Sequence, residues 1–344
     1  FKQKTAYEML RSLVGSEMCI RDSYYAEAVT HFDRALQYLG ERRGPSGLLG
    51  LLGALLNIAA VARSLRASSP KAKARPVERD NEILNLCFRR GWALSVVDPQ
   101  RFFFDSLIAL KRLTRFRLQE VENGASILAG ACALFIFSGL FFGLSRRILE
   151  HLRDSIRPDD PKANLLHTYY DLLLRLLTGG WEHRFAEELI EPNLRTGDLQ
   201  TVNFYLLAYG LIAIERGAFS EVKAMIDKLK QIGEAYDNEG SIGLAYELAA
   251  KMALKMRRPE QALEPAAEAI ALSQKTGTRP VRVYYLGLKA QAELLAGRLE
   301  AAEASLAQAR QLIAQAGLLV PHHRIRYVMA RTNLDLFRAQ RALA

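Results

Sequence analysis

The stretch LGLKAQAELLAGRLEAAEASLAQARQLI, residues Leu286–Ile313, carries the reading that decides the fold. An apolar run leads to Gly297. The next run places Ala302, Leu306 and Ala309 five, nine and twelve positions beyond that glycine. Positions three and four apart share one side of a helix, so these three residues form a stripe. The small side chain at the first position lets a second helix close on the one before the turn, and the other two extend the seam. The expected unit is a pair of antiparallel helices around a short turn.

The spacing recurs upstream. In MRRPEQALEPAAEAI, Arg257 stands where the glycine is, and Ala262, Ala266 and Ala269 take the seam positions. Gly217 is followed by Val222, Ile226 and Leu229 at the same offsets. Gly217, Arg257 and Gly297 are forty residues apart in turn. Earlier turn marks fall at Asp98, Gly139 and Gly180, in steps of 41, 41 and then 37 to Gly217. Near the other end, YYAEAVTHFDRALQYLG holds Ala28, Phe32 and Ala35, with its turn position at Ser23. RYVMARTNLDLFRAQRALA, Arg326–Ala344, reads as the first helix of a further unit. Units that bury their apolar faces only against neighbours stack into a solenoid. The expected array is all-α, with six helix pairs and a partial unit at each end.

The pattern Ala-x3-Phe-x2-Ala at Ala28, Phe32 and Ala35 resembles the second helix of the tetratricopeptide repeat. A step near forty exceeds that family's usual length of about 34, and the first-helix aromatic positions are poorly kept. The resemblance is therefore to the longer, superhelical tetratricopeptide-like arrays. The order along the chain adds to it: a repeat helix ending in Leu39–Gly40, an apolar insert, a charged loop, then long repeats. This order resembles the C-terminal helical segment of large bacterial signalling ATPases of the STAND type. The resemblance implies a kinase or nucleotide cyclase domain and an ATPase domain upstream. It also implies a regulatory, protein-interaction role for this segment, a protein or peptide partner on the concave face, and a cytoplasmic location.

The first residues belong to none of this. Lys2–Glu8 reverse-translates to AAG CAG AAG ACG GCA TAC GAG, and Leu13–Asp22 to CTC GTG GGC TCG GAG ATG TGT ATA AGA GAC. These resemble two sequencing-library adapters joined across a short index, so 1–23 is expected to be non-native and is set aside from fold reasoning. The natural sequence is expected to have extended upstream of about Tyr24. The expected organisation is then a partial repeat at 24–43, an apolar helix with a basic, mobile loop at 44–80, and the solenoid at 81–344. The insert proper is Gly44–Leu65, a helix expected to dock on the solenoid because its uncharged run is short, the other reading being a membrane span; the loop is Arg66–Asp80.

The chain carries a net charge of +10, of which +9 remains once the four basic and three acidic residues of 1–23 are removed. The charges are scattered and interleaved with acids, the pattern of a solvated surface and not of a nucleic-acid groove. Cys87 and Cys132 each sit alone in an apolar stretch, as buried thiols in a reducing compartment do.

Gly124–Ser145 runs for 22 residues without a charge and ends at Arg146 and Arg147. Two readings are open. About twenty apolar residues span a bilayer, with the arginine pair on a cytoplasmic flank; this would make the protein a membrane-anchored adaptor or assembly factor. Alternatively the stretch is one more repeat pair, with a helix to about Phe137, a turn at Ser138–Gly139 and a helix through Arg153. The repeat phase favours the pair.

No motif in the segment carries chemistry, so no catalytic, cofactor or metal residue is assigned and an enzyme activity is not expected here. GPSGLLG, Gly44–Gly50, lacks the Gly-Lys-Ser/Thr ending of a phosphate loop. His322 and His323 are adjacent, so they point about 100° apart on a helix and do not share a metal; a surface role at a helix start is expected. His167 and Tyr170 are expected to pack within a repeat helix, and His151 and His183 are isolated. Glu187 and Glu188 are adjacent carboxylates expected on a solvated helical turn. Tyr205, Tyr209, Tyr246, Tyr284 and Tyr285 recur on first helices. They are expected in the packing of helix pairs, the other reading being a lining for the concave surface.

Overall fold

The fold is that of a computed structural model, which describes residues 25–41, 47–66, 74–157, 159–275, 279–315 and 321–343. The adapter-like stretch 1–23, Tyr24, 42–46 and 67–73 lie outside the described residues. Among those described there are 15 α-helices and no strand; one isolated bridge joins Ala74 to Phe116. The chain is all-α and solenoid-like, its helices packing neighbour on neighbour. It divides into two compact units, Phe1–Tyr170 and Asp171–Ala344.

The first unit holds α1 (Tyr25–Tyr38), α2 (Gly47–Arg66), α3 (Glu78–Val97), α4 (Pro99–Leu113), α5 (Gly124–Ser138), α6 (Phe142–Arg153) and the start of α7 (Pro161–Thr178). Ala28, Phe32 and Ala35 of α1 are fully buried, in one cluster with Ile83, Leu86 and Leu94 of α3. Thus α1 skips the insert and packs on α3, which packs on α4. The insert docks, as expected, with α2 lying on α4 and α6. The turn at Asp98 is a cap: the Asp98 carboxylate accepts the Arg101 backbone N–H at 3.0 Å, and Pro99 occupies the first turn, where its missing N–H costs nothing. The predicted loop Arg66–Asp80 is shorter than expected. Ala74 is tied to Arg115 and Arg117 by backbone bonds, and α3 already begins at Glu78.

Gly124–Ser145 is a helix pair and not one span. The first helix, α5, ends at Gly139, whose φ of 70° is left-handed, and Phe141 repeats that conformation at φ 60° before α6 begins. Eleven residues of α5 are buried, from Gly124 through Ile136 on every side of the helix, which explains its lack of charge without a bilayer. Its 15 residues reach about 22 Å at 1.5 Å each, short of a hydrocarbon core of about 30 Å. No described helix is long and apolar enough to cross a membrane.

The second unit holds the rest of α7, a short α8 (Ile190–Arg195), α9 (Leu199–Arg216), α10 (Phe219–Ala235), α11 (Glu239–Lys255), α12 (Pro259–Lys275), α13 (Arg279–Leu295), α14 (Leu299–Gln315) and α15 (Pro321–Leu343). The seam rule holds closely here. Val222 and Leu229, Ala262, Ala266 and Ala269, and Ala302 and Ala309 all have no exposed surface, while Ile226 and Leu306 keep less than a tenth. The turn residues Gly217, Arg257 and Gly297 all adopt positive φ. First helices also touch in series, α9 on α11, α11 on α13 and α13 on α15.

The Gly180 unit departs from the rule. Gly179 makes the left-handed turn at φ 85°, but 180–186 is not helical and the second helix starts only at Ile190. Pro192 gives the reason. A helix begun near Gly180 would hold it in the interior, where it removes a hydrogen bond and clashes with the previous turn; begun at Ile190, it falls within the first turn. The extended segment is held instead by Phe185, whose ring stacks on Tyr205 at 5.7 Å, and by the Ala186 N–H donated to the Tyr205 hydroxyl at 2.7 Å.

Candidate functional site

Polar groups sealed between helices of a repeat array are the places where more than packing is specified. The largest such set in the second unit bridges α11, α13 and α15. On α11, an otherwise apolar helix, Glu247 and Lys251 are four apart and therefore on one face. Both are more than nine-tenths buried, and Nζ of Lys251 lies 2.6 Å from Oε1 of Glu247. Tyr285, on α13, feels the charge of the same carboxylate. The Lys251 ammonium sits 4.9 Å from the ring centre of its neighbour Tyr284. Arg326 of α15 reaches the same ring at 6.0 Å, and His322 stacks on it at 5.4 Å with the planes 16° apart. Arg326 also donates to the Gln291 side-chain carbonyl at 3.3 Å. A second group joins α13 to α14: Ser305 donates to Glu293 at 2.7 Å, and Lys289 pairs with the same carboxylate at 2.8 Å.

The electrostatics of the cluster are those of fixed charges. Burial alone would raise the Glu247 carboxyl, but the Lys251 ammonium outweighs it and holds the pKa below the usual value. Burial would likewise lower Lys251, and Glu247 outweighs that to hold it above the usual value. Burial, then the Glu247 charge, push the Tyr285 phenol well up, so it stays protonated. Loss of hydration where the ring lies on Tyr284, then the positive Lys251, act to lower the His322 pKa. The cluster therefore orients charges and locks three first helices in register.

The first unit has a counterpart joining α1, α3 and α4. Arg90 bonds Asp33 at 2.9 Å and Asp105 at 3.0 Å; Arg101 bonds Asp33 at 2.5 Å and Asp105 at 3.2 Å. Two cations and two anions close a ring in which each carboxylate meets both guanidinium groups. Arg90 and Asp33 are buried.

The residues singled out in the sequence fall mostly as expected. Tyr205, Tyr209, Tyr284 and Tyr285 are buried, so helix packing is their role; Tyr246 is half-buried with Lys230 5.8 Å from its ring centre. Tyr209 donates to Glu221 at 2.7 Å. The Nε2 of His167 lies 3.2 Å from the Leu149 carbonyl, and Tyr170 is buried beside Tyr169. Glu187 and Glu188 are exposed on a 3₁₀ turn, Glu187 pairing with Lys228 at 2.6 Å. His151 and His183 are partly buried and enter no metal-like group; among the described residues no three His, Cys, Asp or Glu come together to hold an ion. Cys132 is fully buried; Cys87 is partly so, and burial pushes its thiol up to about 11.

His322 and His323 start a helix, as expected. His322 is exposed while its ring lies on Tyr284, and His323 is half-buried and packs edge-on to it at 5.7 Å, with its Nδ1 buried. What sequence reading missed is Glu247, Lys251, Gln291 and Glu293. The available signal was a Glu and a Lys four apart inside SIGLAYELAAKMALK, a helix with no other reason for charge at its centre.

No known protein family's profile matches the chain, and no curated protein matches it at a significant level.

Proposed function

We propose that this chain is a protein-interaction and regulatory repeat module, working within a larger bacterial signalling ATPase of the STAND type and doing no chemistry itself. A protein or peptide held on the concave face of the array shifts the balance between two arrangements of the catalytic domains by binding one of them better. The observation that supports this most is the serial contact of first helices, α9 to α11 to α13 to α15, each also packed on its own second helix or on its neighbours. Such a layer presents one continuous surface. The buried cluster around Glu247 and Lys251 keeps its register fixed, so a partner meets a preformed site.

The test begins with the source DNA on the upstream side of the Tyr24 codon. The proposal expects a phosphate loop followed by this array; a gene with no nucleotide-binding domain sinks the ATPase part of it. In the full protein, nucleotide hydrolysis is then compared with and without residues 199–343. A regulatory array changes the rate by about fivefold or more, and an unchanged rate removes the regulatory role.

A further inference from the structure

The insert helix α2 is built inside out. Its docked face uses Gly50, Ala54 and Val61, which are buried. Its four outward leucines, Leu51, Leu52, Leu55 and Leu56, are 55%, 57%, 59% and 69% exposed. These positions recur at one and four residues and so form one ridge along the helix, continued by exposed Ala59. Soluble surfaces seldom leave large apolar side chains contiguous, and such a ridge marks a contact surface. Gly53, which also keeps exposed surface, would meet no atom within 4 Å if it carried a Cβ, so the ridge is open along its length.

Charge identifies the class of partner. From Arg42 to Val77 the sequence holds seven basic residues, Arg42, Arg43, Arg63, Arg66, Lys71, Lys73 and Arg75, and no acidic one. In the sequence they stand on either side of the leucines. Among the described ones, Arg63 is exposed at the end of α2, and Arg75 keeps 80% of its side chain exposed despite its contact with Glu120. A second copy of the chain is disfavoured by the same charges, because no acidic residue lies between 42 and 77 to meet them when α2 pairs with α2. An apolar ridge between basic flanks matches an anionic bilayer surface, whose acyl boundary takes the leucines and whose headgroups take the cations. The docked side of α2 rests on α4 and α6, so the helix would lie in the plane of the interface and not cross it.

We infer that α2 is a peripheral membrane-docking helix that seats the first unit on anionic lipid through Leu51, Leu52, Leu55 and Leu56, with Arg63 and Arg75 at the headgroups. This is independent of the regulatory reading above. The experiment is vesicle co-sedimentation of the full chain. One set of vesicles is phosphatidylcholine alone; the other carries about a quarter phosphatidylserine. The expected result is at least about tenfold stronger binding to the anionic vesicles, weakened on going from about 0.1 M to about 0.5 M salt. Leu55→Gln with Leu56→Gln should reduce that binding by about tenfold while leaving the thermal melt in place, because both side chains already face outward. Should this variant melt early, Arg63→Gln with Arg75→Gln tests the same contact through the charges alone. Equal affinity for the two vesicle types, no binding to either, or unchanged binding by variants that keep the wild-type melt overturns the proposal. So does a concentration-dependent dimer in light scattering that the leucine variant disperses, which would make the ridge a protein interface instead.

Discussion

The two units solve one packing problem differently. In the second, the α10, α12 and α14 seams are made of residues as small as alanine, all nearly or fully buried, and the turns recur every forty residues. Its α11 carries one buried ion pair, Glu247 with Lys251, and the ring of Tyr284 and the Arg326–Gln291 bond link that helix's neighbours α13 and α15. The first unit sets a large residue at the ninth seam position throughout, Phe32, Leu107 and Ile148, where the second has Ile226, Ala266 and Leu306, and it closes its helices with a four-membered charge ring. The contrast teaches where each unit is vulnerable. A seam of small residues brings backbones close and tolerates no added atom, while a lone buried pair has no substitute partner. A ring has redundancy, because each aspartate touches two arginines.

The sharpest way to break the comparison is to remove one cation from each unit. Lys251→Met leaves a buried Glu247 with no cation at hydrogen-bond distance, and truncating one partner of a buried pair costs about 4 kcal/mol. Arg101→Met leaves Asp33 and Asp105 still held by Arg90, so roughly half that loss is expected. Urea unfolding of both variants measures the ratio. Equal losses would mean that the ring gives no redundancy. The pH dependence follows with its sign. The folded pKa of Glu247 lies below 4.5, so its contribution is present above that value and is lost as pH falls through the folded pKa. In Lys251→Met the largest offset to burial is gone, so the carboxylate titrates higher than in the wild type. The stability gap between wild type and variant should therefore narrow as pH is lowered from about 7 to about 5. A constant gap over that range would show the carboxylate to be solvated.

Next in size is the close approach of α13 and α15. A Cβ on Gly287 would lie 2.5 Å from the Tyr327 backbone nitrogen and 2.6 Å from the Arg326 carbonyl carbon. Backbone cannot swing aside as a side chain does, so Gly287→Ala is expected to cost about 2 kcal/mol in urea unfolding. The same substitution at Gly53 of the first unit meets nothing within 4 Å. There the usual helix preference for alanine should act alone, a gain of roughly 0.5–1 kcal/mol. If both substitutions stabilise, the helices are further apart than this.

How much of this was legible in the sequence follows from the range of each signal. The helix pairs were legible because a turn residue and three seam positions fall within thirteen residues of chain. The break inside Gly124–Ser145 was legible because repeat phase placed a turn at Gly139, although composition alone allowed a span. The failed second helix after Gly180 carried its own warning in Pro192, which outranks a glycine mark because it forbids a hydrogen bond. The clusters were harder. Asp33 meets Arg90 and Arg101 across 57 and 68 residues, and Glu247 meets Tyr285 across 38, so no local pattern pairs them. The outward leucines of α2 were hidden for another reason. The sequence shows a strongly apolar helix, and only packing decides which of its sides is left uncovered.

The smallest effect tests the turn itself, at the one repeat mark of the second unit that is not glycine. Arg257 is exposed and adopts φ 58°, a left-handed conformation that crowds a Cβ against its own backbone. Gly217 and Gly297, at the matching positions, have φ 75° and 74° and meet nothing within 4 Å. Arg257→Gly removes the strain but also frees the unfolded chain, and the two oppose each other. The left-handed penalty of about 1–2 kcal/mol exceeds the roughly 0.5–1 kcal/mol entropic loss, so a net gain of roughly 0.5 kcal/mol is expected. Gly297→Arg should show the reverse by a similar amount. Thermal melts of the two variants, read against wild type, bracket the term. If Arg257→Gly destabilises, the arginine is held by contacts that offset its backbone, and the forty-residue step is kept at that turn by its side chain and not by conformational freedom.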